Sequence, residues 1–226
     1  MTAFQQKEKT GVAPFPSPRN DPLQRWRADV ELLAEFYEKH GLGHNSRKQA
    51  SKLIASTGHI GAALSASPSR LKSIGASDAE IRILGLLQAT VATVLRRPIE
   101  ERPLLDKLSR VIDYLHARMA WQRSESFHVL FLTGRLRLIH DETLAIGSVA
   151  GVEIHPRTVL AKALEANARK LLLVHNHPSG DPAPSREDVQ LTARIRDAGR
   201  VMDVEVIDHI VIAETGHASL RSLGLM

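Results

Sequence analysis

From Leu23 to His40 the apolar residues Trp26, Val30, Leu33, Ala34 and Tyr37 recur at helical spacing, and Gly41 stops the run. Shorter helical patterns follow at Ser46–Ser56 and Ile60–Ala66, then Pro68–Ile74, a turn at Gly75, and a longer helix over Ser77–Leu95. Ser77 or Asp78 caps that last helix, with Glu80 in its first turn. The pattern then changes. Arg96-Arg97-Pro98-Ile99-Glu100-Glu101-Arg102-Pro103 carries two prolines among dense charge and predicts a linker over 97–103. Beyond it Leu104–Ala120 has helical spacing, while Phe127–Thr133 and Arg137–Ile146 pair as a hairpin around Gly134. A helix over Pro156–Arg169 leads into Lys170-Leu171-Leu172-Leu173-Val174, a continuous apolar run that predicts a buried strand. A helix from Ser185 to Ala198 and a strand or hairpin from Asp203 to Ala213 complete the set. The expectation is a small all-helical domain over 21–96 followed by an α/β domain over 104–226, a mixed sheet flanked by helices. Residues 1–20, with Pro14, Pro16 and Pro18 among small and polar neighbours, predict a disordered tail. No internal repeat is evident.

Composition narrows the chemistry. The 226 residues, 43% hydrophobic and 24% charged, suit a globular chain with room for two cores. Cysteine is absent, so neither a disulfide nor a thiolate cage is available, and any metal must be held by nitrogen and oxygen. No apolar stretch is long enough to span a bilayer, and Met1-Thr2-Ala3-Phe4-Gln5-Gln6-Lys7 lacks the apolar core of a secretory signal, so the expected location is the cytoplasm. The net charge of +5 permits a nucleic-acid partner. The excess is thinly spread, through Arg96, Arg97, Arg102, Lys107 and Arg110, and aromatics make up only 4% of the chain, so a solvated mixed-charge surface is the better account of it.

The densest chemistry lies in His175-Asn176-His177-Pro178-Ser179-Gly180 and, after Pro184, Ser185-Arg186-Glu187-Asp188. His175 and His177 stand two apart at the end of the apolar strand, so both rings project from one face and can reach one ion. Pro178, Gly180, Pro182 and Pro184 force a turn, after which Asp188 returns toward the histidines from the first turn of a helix. Three protein ligands arranged so leave a fourth tetrahedral position for water, the pattern of a catalytic zinc site. Ser185 and Asp188 also have the spacing of a helix capping box, and both roles can hold together. Asn176 points away from the histidines and is assigned to backbone support. His209, after Asp208 in a later strand, either closes the core or orients a ligand.

The run HNHPSGDPAPSRED resembles the signature of the RadC proteins, within the JAMM (MPN-plus, JAB) metallopeptidase superfamily and its pattern of HxHP, six residues, SxxD. The resemblance extends through Ser124–Leu132, Gly147-Ser148, Val152–Arg157, Ala163–Ala168 and Val206–Val211, covering about residues 104–226. It implies a JAB/MPN-like fold in which His175, His177 and Asp188 hold zinc and Ser185 donates a hydrogen bond to the oxyanion. It further implies a glutamate before an early strand as general base; Glu125 stands there, with Glu142 as second choice. The implied reaction is hydrolysis of an amide or isopeptide bond in a peptide or protein.

The Pro68–Leu95 region looks like the helix-hairpin-helix that accompanies this domain in the family and binds DNA through backbone N–H groups at a helix start. Here Gly75 fills the second glycine position, but Ser73 stands at the first, and Asp78 lies where a phosphate would be repelled. The alternative expectation is therefore a DNA-repair-associated nucleic-acid-binding factor whose metal domain is structural or recognises a partner. Nuclease chemistry at the same metal ranks last, since no second ligand set accompanies it.

Overall fold

The computed structural model describes residues 12–14, 21–42, 45–100, 108–147 and 154–226. They divide into two compact units, one within 16–93 and the other within 94–226 together with residues 12–14. Among the described residues no helix is long and apolar enough to cross a membrane.

The first unit is helical. Helix α1, Pro22–Lys39, starts where the Asp21 carboxylate accepts from Leu23 N at 3.1 Å. Its stripe of Val30, Leu33, Ala34 and Tyr37 packs against Ala50, Leu53 and Ile54 of α2 (Ser46–Thr57), Ala63 of α3 (Ile60–Leu64) and Leu71 of α4 (Pro68–Ile74). Leu84 of α5, Asp78–Glu100, completes this core. Gly75 ends α4 in the left-handed region (φ 95°), which glycine enters without penalty. A Cβ there would lie 2.7 Å from Lys52 Nζ, so this lysine covers the hairpin turn, while Lys72 pairs with Asp78 across it at 3.1 Å. Ser77 and Glu80 form a reciprocal cap: Ser77 N and Oγ both donate to Glu80 Oε2 at 2.7 Å, and Glu80 N donates back at 3.2 Å.

The second unit is built on a six-stranded sheet in the order β1-β6-β5-β4-β2-β3. Its strands are β1 Val12–Pro14, β2 Ser126–Leu132, β3 Leu138–Ile146, β4 Lys170–Asn176, β5 Glu205–Ala213 and β6 Gly216–Ser219. Among the described residues only β4 and β5 pair in parallel, and the helix between them crosses over the sheet. Phe127, Val129, Phe131, Leu171, Leu173 and Val206 make one apolar face, covered by Val159, Leu160 and Ala163 of α7 (Pro156–Glu165) and Ile195 of α8 (Arg186–Val201). The strand residues of opposite parity include His128, whose buried ring is bound to Asp141 and through it to helix α6, Leu108–Met119.

Several expectations are corrected. Val12–Pro14, read as part of a disordered tail, pairs antiparallel with β6; the rest of residues 1–20 lies outside the described residues. A ladder needs only backbone donors and acceptors, and Pro14 is tolerated because β1 is an edge strand. The linker expected over 97–103 begins instead as the last turn of α5, which passes Pro98 and ends at Glu100; 101–103 lie outside the described residues. That turn is held by burial of Ile99 and by Arg96, which pairs with Glu100 at 3.0 Å and with the buried Asp141 at 2.9 Å. Helix α7 stops at Glu165 rather than Arg169, because Asn167 turns left-handed (φ 50°) to start the strand. Helix α8 runs on through Gly199, where a Cβ would meet Val204 O at 2.5 Å; the glycine marks a close backbone approach, not a stop.

Behind the sheet lies a buried polar cluster that strand periodicity does not reveal. Tyr114 donates to Asp141 Oδ2 at 2.6 Å, His128 Nε2 to the same oxygen at 2.8 Å, and Arg118 to Tyr114 Oη at 2.9 Å. Burial alone would raise the Asp141 carboxyl, but hydrogen bonds from His128 and Tyr114 and the Arg96 charge outweigh it and hold it well below the usual range. Burial, then the bond to Asp141, pushes Tyr114 up to about 12. Burial lowers His128, which stays neutral and accepts from Thr143 at Nδ1, 3.0 Å away.

Candidate metal centre

Strand β4 ends at Asn176, and the next residue is pinned by His177 N donating to Ile212 O at 2.8 Å, so the chain stays extended just long enough to place both histidines. The Pro178–Pro184 turn then delivers the N-terminus of α8 beside them. Ser185 N and Oγ donate to Asp188 Oδ2 at 2.7 and 2.6 Å, and Asp188 N donates to Ser185 Oγ at 3.1 Å. The capping box fixes the Asp188 carboxylate beside the two rings.

Three side chains converge. His175 Nε2 lies 3.0 Å from His177 Nε2 and 3.2 Å from Asp188 Oδ1, and His177 Nε2 lies 3.6 Å from Asp188 Oδ2. A tetrahedral zinc ion with arms of 2.0–2.1 Å sets neighbouring ligand atoms about 3.3 Å apart, so these spacings fit. Glu125 joins them: one ligand atom from each of Glu125, His175, His177 and Asp188 falls within 4.8 Å of the others, and the group can hold a metal ion. Glu142 is elsewhere, on β3, 3.7 Å from Lys162 and 3.9 Å from His140.

The protons suit a cation. His177 Nδ1 donates to Asp181 O at 2.9 Å, so Nε2 is the nitrogen that the neutral ring can offer to a cation at the centre. Burial opposes charge on the Asp188 carboxyl, yet the His175 and His177 rings and the Ser185 hydroxyl beside it hold it far below the normal carboxylate range. Burial likewise opposes a proton on His177, but the bonds to Asp188 and Asp181 and the charges of Asp188 and Glu125 prevail and raise it. Two imidazoles and two carboxylates thus crowd a small volume with a surplus of negative charge, which a divalent cation would relieve.

Asn176 acts as a clamp. Its Oδ1 accepts from Ser126 N at 2.8 Å, and its Nδ2 donates to Ser124 O at 3.1 Å, so it grips the backbone on both sides of Glu125. Gly147 N donates to Glu125 O at 2.7 Å and holds the same residue from the β3 side. The assignment of Asn176 to backbone support thus acquires a specific object.

His209, fully buried, lies directly behind the site: its Nε2 is 2.8 Å from His175 Nδ1, and its Nδ1 is 2.6 Å from Thr192 Oγ1. Burial, reinforced by the neighbouring His175, keeps its pKa well below the ordinary histidine value. Thr192 escaped the sequence reading, although a signal existed. Asp188, Thr192, Ile195 and Gly199 form the buried stripe of α8, and a threonine there, one turn after a candidate ligand, is the polar exception. Asp208 is engaged otherwise, accepting from Ser219 Oγ at 2.6 Å and Arg221 N at 3.1 Å.

The RadC-like JAB domain family matches residues 105–225. A UPF0758 protein of Rhodobacter capsulatus is 39% identical over 199 residues, which cover 88% of this chain and 93% of the relative. A mixed sheet that gathers two histidines, an aspartate and a glutamate, matched by family and by relative over the residues that build it, makes this chain a member of the RadC family.

Proposed function

We propose that the chain is a zinc-dependent hydrolase that cleaves an amide or isopeptide bond in a peptide or protein substrate. The observation that carries this reading is the convergence of Glu125, His175, His177 and Asp188 within 4.8 Å, with no cysteine in the chain to suggest a closed structural cage. Zinc bound there would lower the pKa of a water to about 7 and polarise the substrate carbonyl. Glu125, clamped by Asn176 and Gly147, accepts the proton of the attacking water and passes it to the departing nitrogen, a role contributing roughly 100-fold or more in rate. Ser185 turns its hydroxyl proton from Asp188 Oδ2 to the carbonyl oxygen as negative charge develops there. Its backbone N–H, 2.7 Å from Asp188 Oδ2, keeps the aspartate in place meanwhile. Such a donor contributes about 3 kcal/mol to the transition state.

The test pairs metal analysis with a mixed peptide library. Wild type should retain zinc and cleave; Glu125→Gln should retain zinc and lose cleavage. Full turnover by Glu125→Gln would overturn the assignment of the base, and wild type purified without chelators yet free of any divalent ion would overturn the site. DNA association, the alternative reading, rests on net charge and on a hairpin whose turn is covered by Lys52 of α2 and whose Lys72 is paired with Asp78. Binding that scarcely changes from low to moderate salt would remove phosphate contacts from consideration.

A further inference from the structure

A chain of three short hydrogen bonds runs from the backbone of α8 through the sheet to His175. Thr192 Oγ1 is 2.6 Å from Asp188 O and 2.6 Å from His209 Nδ1, and His209 Nε2 is 2.8 Å from His175 Nδ1. All three side chains are at most 1% exposed, so water cannot substitute for any link. The far end fixes the direction. A carbonyl oxygen only accepts, and a hydroxyl has one proton, so Thr192 donates to Asp188 O and must accept from His209 Nδ1–H. A neutral imidazole has a single N–H, so His209 Nε2 is bare and accepts from His175 Nδ1–H. That leaves His175 Nε2 bare, facing His177 Nε2 and Asp188 Oδ1. The reverse direction would leave two oxygens 2.6 Å apart with no proton between them and would put an N–H into the centre.

We propose that Thr192 and His209 are positioning residues that select which nitrogen His175 presents to the metal, with the polarity set by the α8 carbonyl of Asp188. The proposal rests on the metal reading above and extends it to Thr192, whose hydroxyl bonds to the backbone of Asp188 and to His209. Packing supports it: Phe127 meets the His209 ring edge-on at 5.7 Å between centroids and hinders its rotation. The register also serves it. Between Leu171 and Leu172 the pairing with β5 slips by one residue, from Val206 to Asp208, and Leu173 then pairs with His209. Without that irregularity His209 would face the opposite side of the sheet.

The experiment reads ring protons and zinc affinity separately. In metal-free wild type, long-range nitrogen–proton NMR correlations should place the proton of His175 on Nδ1 and that of His209 on Nδ1. Thr192→Val, which keeps the shape and removes the hydroxyl, should move both protons to Nε2 and weaken zinc binding, measured by chelator competition, about 10- to 100-fold. Thr192→Ser should restore both readouts, which a purely packing role would not require. A wild-type His175 protonated at Nε2, or Thr192→Val binding zinc as tightly as wild type, overturns the proposal. Should Thr192→Val fail to fold, the wild-type spectrum decides alone. Wild type that binds no zinc yet shows the expected protons upholds the relay and overturns the metal reading instead.

Discussion

Asn176 shows how much a single amide can decide. It stands between two candidate ligands, yet its side-chain amide bonds to Gln122, Ser124 and Ser126, in the segment that carries Glu125. Asn176→Ala is therefore expected to retain zinc while turnover falls more than tenfold, because a misplaced base loses much of its effect even when its chemistry is intact; zinc content and rate measured on one preparation check this. His175→Ala and His177→Ala should both abolish tight zinc binding, read by metal analysis after dialysis. The contrast between metal lost and metal kept separates ligand from support. The shared strand face of the histidines was legible in the sequence, and the contacts of Asn176 only partly, since its partners lie 50 and more residues away.

At the scale of elements, α8 does two tasks with one N-terminus. Its capping box satisfies orphan backbone donors and fixes the carboxylate of Asp188. Ser185→Ala should accordingly cost about 1 kcal/mol of stability through the cap, besides any effect on turnover; urea titration of the metal-free protein isolates the cap. At the other end Gly199→Ala forces a Cβ against Val204 O at 2.5 Å, and backbone cannot swing aside as a flexible side chain would. A loss of about 1–3 kcal/mol is expected in the same assay. Helix starts were legible because Ser77, Ser185 and the prolines at first turns act locally. Helix ends were less so: α5 ran past Pro98 because Arg96 and Ile99 find partners that local sequence does not contain.

Across the second unit, Asp141 gathers Arg96 of α5, Tyr114 of α6 and His128 of β2 around one buried carboxylate. Removing the charge by Asp141→Asn should cost about 3 kcal/mol near neutral pH, since the buried donors lose the anion they face. The pH dependence follows from the sign. The folded pKa of Asp141 is depressed, so its contribution is complete above the unfolded value of about 3.9 and is lost as pH falls toward the folded value. The gap between wild type and Asp141→Asn should therefore be full at pH 7 and narrow below about pH 4, as urea midpoints at the two pH values would show. A gap that is constant or widens in acid would contradict the linkage.

The sequence by itself determined the two-part division, most helices and strands, and the short motif that carries the two histidines and the aspartate of the candidate centre. Each depends on neighbours a few residues apart: helical and strand periodicity, a proline-rich turn, an HxH at a strand end. Tertiary structure alone decided which glutamate meets the centre, that β1 and β6 extend the sheet, and that a one-residue slip brings His209 behind His175. Register and long-range hydrogen bonding depend on which surfaces meet after the chain has closed on itself, and that information is spread over the whole fold rather than any one stretch of it.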